Sequence, residues 1–534
     1  MLTIAPTVEG TLPWLSLLIA LPSVIAAVLL FVKPLRVAAR PIALIASLVV
    51  LAGVIAAVVV DWDPVRGPAY QLGETVSWVP AIGLSWALGV NGMGLTMIIL
   101  AAALTPLVLL ASWNDDKTAD RQAGYVGLIL FLETFMILIF SARDVLLFYL
   151  AFEGMLIPLY FLIGRFGGDG RRKASIKFLL YSLLGGLVML FGVVALYVAG
   201  PGGPTAFLME TLTEGGTAPE LGAWQMPIFL TFFFAFAVKA PMVPVHTWLP
   251  DTAAAARPGT SVLLVGVLDK VGTFGMIAFC VTLFPQATKA SAVWIVWAAV
   301  VSILWGALAA LAQKDLLRLV SFTSISHFGF MVLGIYIGSE TALSGAMLYM
   351  VAHGVSIAGL FLLSGWVTQR AGTAQIAKLG GLQRVTPVLA GLFLVSGLAA
   401  IALPGLSGFV PEYMVLVGTF KTDGEIVAMF AVLGVVLAAL YILIPYQKIF
   451  TGPKVAGIDE LPDLGVREKL VMAPLVLAMF ALGFFPGVVL DLVNPVSENV
   501  LDKADARNWH VVDETQAQGP AWDVQAAIEG GIQR

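Results

Sequence analysis

Apolar runs of roughly 18 to 25 residues recur from one end of the chain to the other, separated by short polar connections. A helix of that length crosses the ~30 Å hydrocarbon core of a bilayer. The pattern predicts spans over 12–32, 42–60, 92–112, 123–141, 143–163, 175–199, 225–247, 258–280, 292–312, 316–337, 342–366, 387–418, 425–448 and 470–492. Two of these runs are unusually long and broken by proline. In TFFFAFAVKAPMVPVHTWLP, Pro241 and Pro244 follow Lys239; in LAAIALPGLSGFVPEYMVL, Pro404 and Pro411 precede Glu412. Proline removes a backbone hydrogen bond. In lipid that loss is tolerated only where protein or water satisfies the freed groups. The broken runs are the seventh and the twelfth. Spans four to eight and nine to thirteen then form two five-helix units that start from opposite sides, the arrangement of inverted-repeat transporters.

The expected fold is an all-α polytopic membrane protein of about 14 transmembrane helices, with two inverted five-helix repeats and two discontinuous, proline-broken helices. Its organisation reads as helices 1–3 over 1–122, a first repeat over 123–280, and an inverted second repeat over 281–449. Helix 14 follows over 450–492, then a polar external tail over 493–534. Residues 61–91, with Asp61, Asp63, Arg66 and Glu74 beside Trp78 and Trp86, read as an external loop with interfacial aromatics.

Charge orients this array. Of the 29 basic residues, 20 fall on one set of alternate connections, including Lys33, Arg36, Arg40, Arg171, Arg172 and Lys173. Seven fall on the other set, and the richer side is expected to be cytoplasmic. Both termini are then outside. The first run lacks the preceding basic residues of a secretory signal and reads as a retained helix. Two lysines remain, Lys239 and Lys270, and both lie inside apolar spans.

Composition narrows the chemistry. The 534 residues are 59% hydrophobic and 12% charged, unlike a soluble chain of this length. The single cysteine, Cys280, excludes an intrachain disulfide and a cysteine-bound iron–sulfur or zinc centre. No glycine-rich phosphate loop is present. Any driving energy is expected to be captured elsewhere.

Ionisable groups deep in apolar spans are costly and mark ion paths. Glu133, Glu153, Lys239, Lys270, His327, His353 and Glu412 stand on seven different spans. Each has a plain reading by itself. Lys239 could reach the interface along its own stem, His353 could be a hydrogen-bonded packing residue, Glu133 could pin two helices, and Asp269 could merely neutralise Lys270. Together, with two of them at proline breaks, they read as a path. Protons suit it. Burial disfavours a charged lysine and a neighbouring carboxylate favours it, so moving a glutamate loads or releases a proton. Histidine passes a proton between its two nitrogens. With His246, the histidines lack compact metal-ligand spacing, and no metal is expected.

The stretches FAVKAPMVPVHTWLPD, VLDKVGTFG, QKDLLRLVSFTSISHFGFMVLGIY and LPGLSGFVPE resemble signatures of the antiporter-like subunits of respiratory complex I. The likeness runs from about span three to span thirteen. A glutamate at the second break, Glu412, and the lack of a long lateral helix after span fourteen place it nearest the M-type branch. The resemblance implies that Glu153 pairs with Lys239 and that Lys270 is the central lysine. His327 and His353 would link Lys270 to Glu412, the exit group, and Glu133 would be a secondary glutamate. It implies no cofactor in this chain, with FMN, iron–sulfur clusters and quinone in partner subunits. Partners would be the other membrane subunits, the neighbouring L- and N-type chains and the lateral helix of the L-type chain, in a bacterial plasma membrane and without nucleic acid. A multi-subunit Na+/H+ antiporter subunit, or a structural subunit with a vestigial channel, are the alternatives. Three departures stand out. Ala253 and Ala255 replace a histidine and a glutamate at the start of span eight, Asp269 precedes Lys270, and Pro411 replaces a small residue.

Overall fold

A computed structural model describes residues 7–66, 69–214, 221–422, 424–455 and 461–503. The helices, in chain order, are α1 (Trp14–Phe31), α2 (Ala39–Asp61), α3 (Gly92–Ala111), α4 (Ala119–Ser141), α5 (Val145–Gly154), α6 (Leu156–Phe166) and α7 (Arg171–Ala199). There follow α8 (Met209–Glu214), α9 (Gln225–Lys239), α10 (Trp248–Ala255), α11 (Pro258–Leu263), α12 (Lys270–Gly275), α13 (Pro285–Leu311) and α14 (Leu316–Tyr336). The last are α15 (Glu340–Ala371), α16 (Pro387–Ala400), α17 (Phe409–Phe420), α18 (Glu425–Tyr446), α19 (Val466–Phe484) and α20 (Gly487–Lys503).

Among the described residues, twelve helical stretches are long and apolar enough to cross a membrane, or thirteen if α19 and α20, bent by 63°, make one span. The shorter α16 and α17 fill the place of span twelve. Capping side chains start the helices where the chain turns at a surface. Asn91 accepts from the Gly94 amide, Asp144 from Leu147, and Asp315 from Arg318, all at 2.9–3.0 Å. At the centre stands α15, 32 residues long and buried along its length from Ala342 to Val367. The outer helices α1 and α2 keep apolar faces outward, as Phe31, Val59 and Ile45 show.

Both breaks have the expected proline, and each spans eight residues, 240–247 and 401–408. At the first, the Trp248 indole donates to the Val238 carbonyl at 2.9 Å and the Ser302 hydroxyl accepts from the Val243 amide at 3.0 Å. Protein groups thus replace the lost helical partners. At the second, Ala402 and Gly405 adopt positive φ, and a Cβ on Gly408 would stand 2.2 Å from the Ala399 carbonyl oxygen. Pro411 does not contribute to this break. It lies in the first turn of α17, where its missing N–H is no loss.

Two expected loops are ordered differently. Within 61–91, strands β1 (Gln71–Val79) and β2 (Leu84–Val90) pair antiparallel. Buried Arg143 fastens this hairpin by donating to Leu88 O at 2.9 Å and Thr75 Oγ1 at 2.6 Å, and pairs with Glu210. The polar segment from 493 continues as helix α20 to Lys503, and its Ser497 hydroxyl meets Ser344 of α15 at 2.7 Å. Apolar residues Val489, Val493, Val496 and Val500 recur at helical spacing under those polar positions and bury that face. The rest of the tail, with Arg507 and Arg534, lies outside the described residues.

Candidate functional site

Lys239 is the last residue of α9, at the point where the first broken helix ends. Its Nζ is buried, lies 5.4 Å from the Phe178 ring centre and 5.9 Å from that of Phe152, and has no hydrogen-bond partner among the described residues. Glu153, near the end of α5, is half-buried and acts electrostatically on Lys239. Its carboxylate sits in a notch on α7, where a Cβ on Gly186 would be 1.5 Å from Oε1. The glycine therefore defines where Glu153 can rest. Phe148, Phe232, Phe236 and Phe279 pack together with centroids 4.5–6.3 Å apart. Phe236 lies one turn before Lys239 on α9, and Phe148 one turn before Phe152 on α5, so these rings form an apolar wall beside the pair.

Span eight is not a plain α-helix. Wider π-turns over Leu264–Leu268 and Met276–Val281 flank α12, a feature common at functional sites. In the first, the Asp269 amide bonds to Leu264 O at 2.9 Å. That leaves Val265 O free to accept from the Lys270 ammonium. Lys270 Nζ also meets His353 Nδ1 on α15 at 2.8 Å. With Nδ1 as acceptor, the His353 hydrogen lies on Nε2.

The line continues through a ring contact, and among the described residues His353 Nε2 and His327 Nδ1 have no hydrogen-bond partner. The rings of His353 and His327 stand 5.1 Å apart between centroids. His327 Nε2 meets the Tyr441 hydroxyl at 3.1 Å, and its ring is 5.8 Å from that of Tyr349. Tyr349 donates to Glu412 Oε2 at 2.9 Å. The backbone of Ala400, the residue that ends α16 at the second break, also approaches His327. Lys270, His353, His327 and Glu412 are therefore joined across four elements, α12, α15, α14 and α17, all of them buried.

Glu133 stands apart from this line. It is fully buried on α4 with Thr105 of α3 as a polar neighbour, and its oxygens have no firm hydrogen bond among the described residues. His246 lies in the first break and receives the Trp305 indole N–H on Nε2 at 3.2 Å. Sequence reasoning missed Tyr349 and Tyr441. Tyr349 carries a signal, since it stands one turn before His353 on the same face of α15. Tyr441, in an apolar run of α18, carries none.

On the basic side, a cavity of about 850 Å³ opens beside α10 and α11, lined by Arg121, Lys173, Lys177, Asp251, Ala255 and Arg318 among others. Lys177 bridges Asp251 at 2.7 Å and the Thr247 carbonyl at 2.7 Å, and Arg318 holds the other Asp251 oxygen. Of the two alanines singled out before span eight, Ala255 borders this space, whose charge comes from neighbouring helices, and Ala253 is buried away from it. Nearby, Arg257 and Arg121 both hold Asp116. Burial works against the Asp116 charge, yet these hydrogen bonds and charges outweigh it and keep its carboxyl below the usual range. Among the described residues, no group of three or more metal-ligating side chains comes together.

A family model described as "NADH:quinone oxidoreductase/Mrp antiporter, TM" matches residues 142–438. NADH-quinone oxidoreductase subunit M of Mycobacterium tuberculosis is 41% identical over 92% of this chain and 94% of its own. The same subunit of Rhodobacter capsulatus is 36% identical over 92% and 93%. A chain of respiratory complex I from Thermus thermophilus superposes with a TM-score of 0.81 at 30% identity, covering 92% of this chain and 99% of that one. A chain of the Mrp complex from Dietzia also superposes with a TM-score of 0.81, at 21% identity, a likeness of fold.

Proposed function

The chain belongs to the NADH:quinone oxidoreductase/Mrp antiporter membrane-subunit family, and we propose that it is a proton-translocating membrane subunit of respiratory complex I. The observation that carries this reading is the buried line of three hydrogen-bonded pairs, Lys270–His353, His327–Tyr441 and Tyr349–Glu412, brought together by ring contacts of His327 with His353 and Tyr349. Groups that both donate and accept stand in contact there, in a region where an isolated charge would be expensive.

Protons enter the cluster at Glu153 and Lys239. The carboxylate favours the ammonium while it stays near; when it withdraws, Lys239 releases its proton inward, with the phenylalanines as an apolar wall beside the pair. Lys270 receives it and passes it to His353 Nδ1, which gives up the Nε2 proton toward His327. Tyr349 relays it to Glu412, the outlet. The charged cavity beside α10 serves as the cytoplasmic vestibule. Glu133 serves as a secondary membrane glutamate.

The energy comes from quinone reduction in partner subunits, which hold FMN, iron–sulfur clusters and quinone, while this chain holds no redox centre. It packs between L- and N-type chains, under the lateral helix of the L-type chain, in the bacterial plasma membrane with both termini outside. The test is Lys239→Met in the assembled complex, with proton transport by membrane vesicles measured at matched enzyme content. Loss of transport is expected; unchanged pumping overturns the role of Lys239.

A further inference from the structure

Asp269 is a buried carboxylate that the relay above does not use. It is fully enclosed, and neither oxygen has a hydrogen-bond partner among the described residues. Neighbouring residues on a helix point about 100° apart, so Asp269 and Lys270 address different neighbours. The Lys270 face is shared by Gly266, four residues earlier, and it meets α15, where a Cβ on Gly354 would be 2.9 Å from Gly266 O. The Asp269 face is shared by Gly272, three residues later, and it meets the end of α9. A Cβ on Gly272 would stand 2.6 Å from both the Ala240 amide and the Phe236 carbonyl. These two atoms belong to the turn that carries Lys239. Asp269, three residues from each glycine, therefore stands between the α15 face and the first broken helix, and its charge acts on Lys239 as well as on Lys270.

Charge counting sharpens this placement. A buried cluster is least costly when it is uncharged as a whole. Glu153, Lys239 and Lys270 alone are uncharged when they share one proton. Adding Asp269 makes the uncharged cluster one that shares two. Both protons can then shift between sites without changing the net charge.

We propose that Asp269 is the proton-bearing carboxylate between the two lysines, so that the buried cluster Glu153–Lys239–Asp269–Lys270 carries two protons when uncharged. This rests on the relay reading. In the step, the Lys239 Nζ–H bond breaks and an Asp269 Oδ–H bond forms. That Oδ–H bond then breaks as a Lys270 Nζ–H bond forms, with no electron transferred.

The test compares Asp269→Asn, Asp269→Glu and Lys239→Met complexes with the unaltered one. It reads proton transport at matched enzyme content and infrared difference spectra between the oxidised and NADH-reduced states. Asp269→Asn is expected to lower transport by about half or more, as the load falls from two protons to one. A protonated-carboxyl band that changes on reduction is expected to vanish in Asp269→Asn, to shift in Asp269→Glu, and to accompany at least partial recovery of transport there. If Asp269→Asn does not assemble, Asp269→Glu retains the test, and a spectrum identical to the unaltered complex overturns the proposal. Loss of transport in Lys239→Met with full transport in Asp269→Asn overturns the proposal and leaves the relay standing. Full transport in both removes the relay and the proposal with it. Lost transport without any carboxyl band assigned to Asp269 makes it a fixed counter-charge to Lys270 and also overturns the proposal.

Discussion

Gly186→Ala is a perturbation of one methyl group aimed at one carboxylate. The new Cβ would lie 1.5 Å from Glu153 Oε1 and 2.5 Å from its carboxyl carbon. Ordinary contact needs the oxygen to retreat by about 2 Å. The atom that must move is the end of a flexible side chain, so the fold need not yield. Alanine also favours the α7 helix by up to about 1 kcal/mol over glycine. For charges about 5 Å apart at an effective dielectric near 20, a 2 Å change in separation alters their interaction by about 1 kcal/mol or more. That is roughly fivefold in the distribution of the proton between Glu153 and Lys239. Gly185→Ala is the control, because its Cβ would meet nothing nearer than 3.4 Å. Proton transport by vesicles containing each assembled complex is expected to fall about fivefold for Gly186→Ala and to stay unchanged for Gly185→Ala. Equal transport in both, at normal assembly, refutes the idea that the resting place of Glu153 sets the loading of Lys239.

Tyr349→Phe removes the hydroxyl that donates to Glu412. A lost hydrogen bond to such a group is worth about 1.5–3 kcal/mol, so transport is expected to fall about tenfold or more with the complex intact, and unaltered transport would show that the proton bypasses Tyr349. Gly408→Ala drives a Cβ to within 2.2 Å of the Ala399 carbonyl, a backbone atom that cannot swing aside; reduced amounts of assembled complex on native gels are expected, and normal assembly would show a looser second break. Arg257→Ala strands buried Asp116 beside Arg121 alone and is expected to destabilise the complex by about 3 kcal/mol, read as an earlier thermal transition. The carboxyl of Asp116 is held below its ordinary range, so its contribution is fully present above the unfolded value and is lost as pH falls through the folded one. The gap between Arg257→Ala and the unaltered complex is therefore expected to close on acidification below about pH 4, and a gap that persists there would contradict it.

The spans were readable because lipid leaves only helices and closed barrels to satisfy a backbone, and long apolar runs record the helical one. The breaks were readable from proline, although Pro404 and Pro411 look alike in sequence. Only the backbone shows that the chain turns at Ala402 and Gly405 and that Pro411 begins the next helix. The hairpin over Gln71–Val90 was missed because its alternation is confined to a few residues and its anchor, Arg143, is remote in sequence. Buried charges announced themselves by their cost. Their partners did not, because Tyr441 is an unremarkable member of an apolar helix. Asp269 was visible beside Lys270, but adjacency in sequence concealed that it stands between the α15 face and the first broken helix. The placement was set by glycines at 266 and 272, which allow the neighbouring backbones to approach.

Lys270 holds the centre of the line, with Asp269 and the broken helix on one side and His353 on the other. Lys270→Met keeps the side-chain length and removes the proposed proton carrier. Proton transport measured at matched content of assembled complex is expected to be lost in this variant. Transport equal to that of the unaltered complex would contradict a proton path through this chain.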